Sequence, residues 1–230
     1  RTAIYSFAET PQGELLVAAK DGVWRIAHGR ASELTIPESI WPATTSSVVS
    51  GPGGEVWLGH RQDLYRWEQG ELRWQIRVEL ELFLLAVGRV GSVWYGHGRG
   101  AAHWKPGQLP RDLELKAGHV RALAEAPEGG WWVGTAVNGL HHWRDGAATP
   151  VTTTNGLASN RILALTHDRE GTLWVGTDGG GFSSFSRGQL TTYGMEHGLT
   201  YFDVLSVAEE SAGSVWLGIF GGGLCVGQDG

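Results

Sequence analysis

The chain has 230 residues with 36 Gly, 12 Trp and one Cys, and its 18 Lys+Arg against 24 Asp+Glu leave a formal charge of −6. A hydrophobic share of 41% argues against a disordered chain. The negative balance argues against nucleic acid as a partner, and the lone Cys225 rules out an intrachain disulfide and Cys-rich zinc signatures. No apolar run reaches the ~18–20 residues of a membrane helix, and no charged-then-apolar signal sequence opens the chain. A chain that opens on Arg1 instead of Met is expected to be a processed or excised piece.

Taken in order, the first elements are an apolar segment Ile4-Tyr5-Ser6-Phe7, a four-residue link Thr10-Pro11-Gln12-Gly13, and a second segment centred on Leu16. The same succession returns five times, with Trp57, Trp94, Trp132, Trp174 and Trp216 in place of Leu16, at spacings of 41, 37, 38, 42 and 42 residues. Each Trp sits inside a Gly-x-apolar-Trp-apolar-Gly element. The segments that precede them, such as Ile162-Leu163-Ala164-Leu165 and Val204-Leu205-Ser206-Val207, read as buried strands. Every link ends in glycine, the preference of a type I turn, so each pair reads as a hairpin. Because side chains alternate along a strand, Trp174 and Gly176 share one face, where the glycine makes room for the indole or for an adjoining sheet. The Trp series is therefore expected to pack between sheets.

Ten or eleven residues further on stands a second series, Ile26, Trp67, Trp104, Trp143 and Phe185, followed after three residues by Gly29, Gly70, Gly107, Gly146 and Gly188. These glycines mark another tight turn in each period. A period near 40 residues holding three or four short strands predicts an all-β fold, a β-propeller with six recognisable blades and a last blade that lacks its outer strand. The expected blades are residues 3–40, 41–80, 81–117, 118–156, 157–199 and 200–230. The missing strand predicts either a fragment of a longer propeller or six blades that close without strand exchange, the fragment being preferred. Helical repeats fail for want of an apolar stripe free of Gly and Pro, and WD40 repeats for want of a Trp-Asp pair.

The stretch from Asn155-Gly156-Leu157 through Asp168-Arg169-Glu170-Gly171 and Leu173-Trp174-Val175-Gly176-Thr177 to Gly179-Gly180-Gly181-Phe182 closely resembles the two-component regulator propeller repeat. The next copy departs from it at Phe202 and Ile219, where Asn160 and Thr177 stand in the better one. The resemblance implies a non-enzymatic sensor region on the periplasmic or extracellular side, part of a longer signalling protein, which takes a small polar ligand such as an oligosaccharide. It also implies that any homodimer forms through domains outside this chain. The alternatives are a streptogramin lyase-like propeller, which would need a His beside a metal at the channel mouth, and a protein-interaction scaffold.

Function in such a fold sits on loops held by the blades. The loops between second and third strands offer His60, Arg61, His97, Arg99, Asn138, Asp178 and Phe220. The loops that cross between blades offer Trp41, His119, Asn155, Asn160, Arg161, His197 and Tyr201. Rings beside amide, guanidinium and imidazole groups suit a sugar or another polar ligand. His60 and His97 hold equivalent places from which they would converge near the channel. No further ligands are spaced for zinc, so no metal or other cofactor is expected. His141 and His142 are adjacent and point to opposite faces of a strand. No Gly-x-Ser-x-Gly element, P-loop or paired carboxylates stand out, so no catalytic residue is assigned. The two Gly-Gly-Gly runs read as turns rather than phosphate loops, and Thr135 and Thr177 as donors of turn hydrogen bonds.

Overall fold

The computed structural model describes residues 3–34, 45–113, 118–210 and 214–227. They form six antiparallel sheets in which strand order follows sequence order. The first holds β1 (Ile4–Glu9), β2 (Leu15–Ala19), β3 (Gly22–Ala27) and β4 (Arg30–Glu33). The second holds β5 (Thr45–Ser50), β6 (Val56–His60), β7 (Asp63–Glu68) and β8 (Glu71–Arg77), and the third β9 (Leu82–Val87), β10 (Val93–His97), β11 (Gly100–Trp104) and β12 (Arg111–Asp112). The fourth comprises β13 (Val120–Glu125), β14 (Trp131–Thr135), β15 (Leu140–Arg144) and β16 (Ala147–Val151). The fifth comprises β17 (Ile162–His167), β18 (Leu173–Thr177), β19 (Phe182–Ser186) and β20 (Gln189–Tyr193). Among the described residues the last sheet has three strands, β21 (Val204–Glu209), β22 (Val215–Ile219) and β23 (Gly223–Gly227). The fold is an all-β, six-bladed propeller of antiparallel sheets. Two compact units divide it, residues 1–113 with the first three sheets and residues 114–230 with the last three.

The links between first and second strands close as expected, the glycine amide donating to the carbonyl three residues back: Gly13 to Thr10, Gly54 to Gly51, Gly91 to Gly88, Gly129 to Ala126 and Gly171 to Asp168. The sixth link includes residues 211–213, outside the described residues. Outer hairpins turn tightly too. Arg187 and Gly188 both take positive φ, 51° and 78°, the geometry of a two-residue type I′ turn that matches strand twist.

One irregularity organises the packing. At the start of each first strand the pairing slips by one residue: Ile162 opposes Thr177, Ala164 opposes Gly176, and Leu163 is left over. Such a bulge reverses side-chain parity, so Ile162 shares a face with Leu165 instead of Ala164. That face presses on the fourth sheet, where a Cβ built on Gly134 would lie 2.5 Å from Ile162 Cγ2. Leu82 approaches Gly59 and Val204 approaches Gly176 in the same way. The glycines beside Trp57, Trp132 and Trp174 thus admit the first residue of the next sheet.

Tryptophans fill the space around these contacts. Trp57 is buried against Leu82, Val93 and Tyr95, Trp132 against Ile162 and Val175, and Trp174 against Val204 and Leu217. A buried indole removes roughly 150–250 Å² from water, an upper figure of about 4–6 kcal/mol each at ~25 cal/mol/Å². Two expectations need correction. Trp216 is only half-buried, and its Nε1 donates to Glu210. The first strands β1 and β21 are largely exposed, with Ile4, Tyr5, Phe7 and Leu205 all open to solvent.

Candidate functional site

In the first unit, two of the predicted loop residues turn out to be strand ends. His60 closes β6 and His97 closes β10, and both are buried. Alternation puts His97 on the same face as Tyr95, and its ring reaches outward across β11 to Asp112 on the outermost strand, with Nε2 3.0 Å from Asp112 Oδ1. The Arg99 amide donates to His97 Nδ1 (3.2 Å), so Nδ1 is the acceptor and Nε2–H donates to the carboxylate. Arg61, with φ 51°, and Arg99 are exposed on the adjoining loops.

The His97–Asp112 pair stands in the wall of a cleft of about 300 Å³ between the outer strands of the second and third sheets. Arg77, Tyr95, Leu109 and Pro110 also line it. Asp63 holds Arg77 in place, accepting from its Nε (3.0 Å) and Nη2 (2.7 Å) while also accepting from Trp74 Nε1 (3.1 Å). Burial pushes the Asp63 carboxyl upward, but the donors Arg77 and Trp74 outweigh it and hold the group below the usual range. Burial raises the Tyr95 phenol well above its ordinary value, with the Asp112 charge adding to it, so this hydroxyl stays protonated. A volume near 300 Å³ with mixed polar and apolar walls is at the small end of ligand sites. The site can accept and donate hydrogen bonds to a small polar molecule beside the exposed side chain of Leu109.

In the second unit several predicted ligand residues hold the loops together. Thr153–Asn155 and Met195–His197 form matching 3-10 turns. Asn155 Oδ1 accepts from the Thr152 amide (2.9 Å), and His197 Nδ1 accepts from the Gly194 amide (3.2 Å). Leu157 and Leu199, two residues further on, plug the core. Asn160 Oδ1 accepts from the Thr153 amide (2.9 Å), and its carbonyl accepts from Gly139. Phe202, which replaces that Asn in the next copy, keeps the carbonyl role toward Gly181. The repeat signature Asn-Gly-Leu is thus largely architectural. Thr135 and Thr177 donate to the carbonyls of Gly139 and Gly181 (both 2.8 Å), as the sequence suggested. Ile219 has no hydroxyl and is buried instead.

Arg161 and Asp178 are brought together as an ion pair (2.5 Å), and the neighbouring Asp203 accepts from the Gly179 amide (2.8 Å). Gly179 and Gly181 have positive φ, but Gly180 does not, and a Cβ there would strike the Ala158 carbonyl. His119 is half-buried, and burial, helped by Arg121, lowers its pKa. Asn138, Tyr201 and Phe220 are exposed, the Tyr201 ring lying beside Gly221 and Gly222. His141 and His142 do face opposite ways, His142 stacking on Trp132 at 4.3 Å. Trp41 lies outside the described residues. Among the described residues no cluster of His, Cys, Asp and Glu could hold a metal ion, and no helix is long and apolar enough to cross a membrane.

Sequence reasoning missed Tyr95, Asp112 and Arg77. Alternation with His97 announces Tyr95, but nothing in the irregular stretch around Asp112 or in the exposed β8 announces the other two.

Residues 156–179 match the family model described as two component regulator propeller. The extracellular domain of a B. thetaiotaomicron protein described as a hybrid two component system superposes with a TM-score of 0.66 at 17% identity. The match covers 98% of this chain and 39% of that one, so the chain spans well under half of that extracellular domain. Virginiamycin B lyase from Staphylococcus aureus is similar at 0.73 and 14% identity, over 97% of this chain and 78% of that one. A gluconolactonase from Xanthomonas campestris is similar at 0.63 and 18% identity, over 98% and 86%. These likenesses establish the shared fold. Curated proteins yield no significant match.

Proposed function

We propose that the chain is the input region of a bacterial signal-transduction protein, a non-enzymatic propeller on the periplasmic or extracellular side that binds a small polar ligand. The regulator propeller repeat at residues 156–179 carries this reading, and the sensor-domain likeness supports it. The ligand seat we assign is the cleft of Arg77, Tyr95, His97 and Asp112, whose donors and acceptors stand beside the apolar side chains of Leu109 and Pro110. An oligosaccharide is the favoured ligand class, since hydroxyls pair with imidazole, phenol and carboxylate groups while ring faces lie on apolar side chains.

The test is a glycan array probed with the chain, followed by thermal denaturation with any hit. A bound ligand at a hundred times its Kd adds ~2.7 kcal/mol, or about 5–10 °C for a chain of this size. Tyr95→Phe combined with His97→Gln should abolish the gain while leaving the unliganded Tm within a few degrees. Finding no glycan that binds, and neither a membrane segment nor a signalling domain in the full-length polypeptide, would remove the reading.

A second reading, a lyase, draws on the similarity to virginiamycin B lyase and on the His97–Asp112 imidazole–carboxylate pair. Against it, that pair faces the outer strand and no metal cluster lies beside it among the described residues. Incubating the chain with a streptogramin B lactone and following ring opening by mass spectrometry distinguishes the two.

A further inference from the structure

The loop from β20 to β21 and the link from β22 to β23 repeat, 42 residues on, the loop from β16 to β17 and the link from β18 to β19. Their backbones do the same things. The Gly156 and Gly198 amides donate to the carbonyls of Thr153 and Met195, and the Asp178 and Phe220 amides to those of Arg161 and Asp203. The side chains differ: Thr153, Ser159, Asn160 and Asp178 become Met195, Tyr201, Phe202 and Phe220, and Arg161 becomes Asp203. The shared backbone does not call for these apolar groups, and none of them is buried. Met195 is 55% exposed, Tyr201 50%, Phe202 41% and Phe220 65%. In the earlier copy, where the fifth sheet packs between the fourth and the sixth, the same positions still reach water. Thr153 is exposed, Ser159 and Asn160 are half-buried, and the side chains of Asp178 and Arg161 are 27% and 62% open. Openness is therefore a property of these loops themselves.

The earlier copy also shows that the positions are neighbours. Asn160 Oδ1 accepts from the Thr153 amide, the Ser159 hydroxyl accepts from the Arg161 amide (3.2 Å), and Arg161 pairs with Asp178. The same backbone brings positions 201, 203 and 220 together in the later copy, where the Tyr201 ring lies beside Gly221 and Gly222. At ~200 Å² per large side chain, about half of it open, the four residues present roughly 400 Å² of apolar surface, the size that marks an interaction site. Charge changes along with polarity. Residues 146–187 hold three Arg and three carboxylates, whereas residues 188–229 hold no Lys or Arg and five carboxylates, of which Glu196 and Asp203 belong to the loop itself.

We propose that the surface of Tyr201, Phe202 and Phe220, with Glu196 and Asp203 beside it, binds a small organic cation whose charge sits on an alkylated nitrogen, of the quaternary ammonium class. Aromatic faces attract such a group through their negative potential, and its alkyl substituents cover apolar surface. The carboxylates add to the attraction and would repel an anion, while a neutral apolar molecule would leave them unused. The site lies wholly in the second unit and does not depend on the cleft of Tyr95 and His97 in the first.

Titration of the chain with choline, followed by calorimetry and by the aromatic proton signals in NMR, tests this. Saturable binding with a Kd of about 1–10 mM is expected of an exposed cation–π site. Dimethylbutanol, the neutral isostere with carbon in place of the charged nitrogen, should bind at least ~10-fold more weakly. Tyr201→Leu/Phe220→Leu keeps the apolar area but removes two rings, and should weaken choline binding ~5–30-fold. Circular dichroism checks that this variant folds, and if it does not, Phe220→Leu alone should weaken binding ~2–5-fold. Absence of saturable choline binding up to ~50 mM, equal affinity for the neutral isostere, or ring-deleted variants that bind choline as the wild type does would each overturn the proposal.

Discussion

Replacing Gly134 and Gly218 by alanine, one at a time, isolates what a covering sheet does to a single position of the repeat. At Gly134 the added Cβ would meet Ile162 Cγ2 at 2.5 Å and Ile162 Cβ at 3.0 Å. Ile162 is fully buried and β-branched, so it has no alternative rotamer to retreat into. Overpacking of this sort costs about 1–3 kcal/mol, against ~0.5–1 kcal/mol returned by the reduced freedom of the unfolded chain. A net loss of about 1–2 kcal/mol lowers Tm by roughly 2–8 °C in a chain of this length. At Gly218 the nearest atom is the hydroxyl of exposed Ser206, which rotates away. Gly218→Ala should therefore leave Tm unchanged or raise it slightly. Thermal denaturation by circular dichroism reads both. Ile162→Ala removes the obstructing Cγ2, so Gly134→Ala/Ile162→Ala should be milder than the sum of its parts by about 1 kcal/mol or more. Equal effects at Gly134 and Gly218, or strict additivity in the double variant, would refute the interlocking argument.

Asn160→Ala removes the acceptor of the Thr153 amide and should cost about 1 kcal/mol in urea denaturation, with Asn160→Asp recovering most of it, since a carboxylate oxygen serves the same amide. Thr177→Val deletes the donor to the Gly181 carbonyl inside the core and should cost about 1–2 kcal/mol by the same measurement. Burial lowers the pKa of His103, His119, His141 and His167, each beginning from the ordinary value of 6.5. A base whose folded pKa is depressed takes up its proton more readily when unfolded, so its contribution to stability is complete above pH ~6.5 and is lost as pH falls through the folded value. Tm should then decline between pH 7.5 and 5, and the decline should be shallower in His141→Gln and His167→Gln. A flat profile would count against these rings being buried neutral.

Much of the architecture is legible in the sequence because each feature that builds it repeats. Trp132 alone says little, but five Trp in register with a glycine two residues on announce the strand, its faces and the packing partner. The site is harder to read, for a physical reason. Asn155, Asn160 and His197 look like ligand groups because they are polar and lie on loops, yet the backbone amides of Thr152, Thr153 and Gly194 claim their acceptors. Loop polarity is spent first on satisfying loop backbone, and a sequence does not show which polar groups are left over. Asp112 and Arg77 belong to irregular or exposed segments where no periodicity speaks, and only the fold brings them to one cleft.

The bulge at the head of each first strand has a consequence for how such a chain tolerates change. From Ile4 to Ala18, Thr45 to Gly59, Leu82 to Gly96, Val120 to Gly134, Ile162 to Gly176 and Val204 to Gly218 the interval is always fourteen residues, while the repeat as a whole varies from 37 to 42. The constant interval is the part of each blade that meets its neighbours, measured out like a gauge, and all variation in length falls in the outer half and the crossing loops. Insertions there leave the joinery untouched, so the rim that includes the cleft of Tyr95 and His97 is free to diverge in length and chemistry at little structural risk. A single residue gained or lost inside the gauge would instead turn every later side chain of that strand pair to the wrong face.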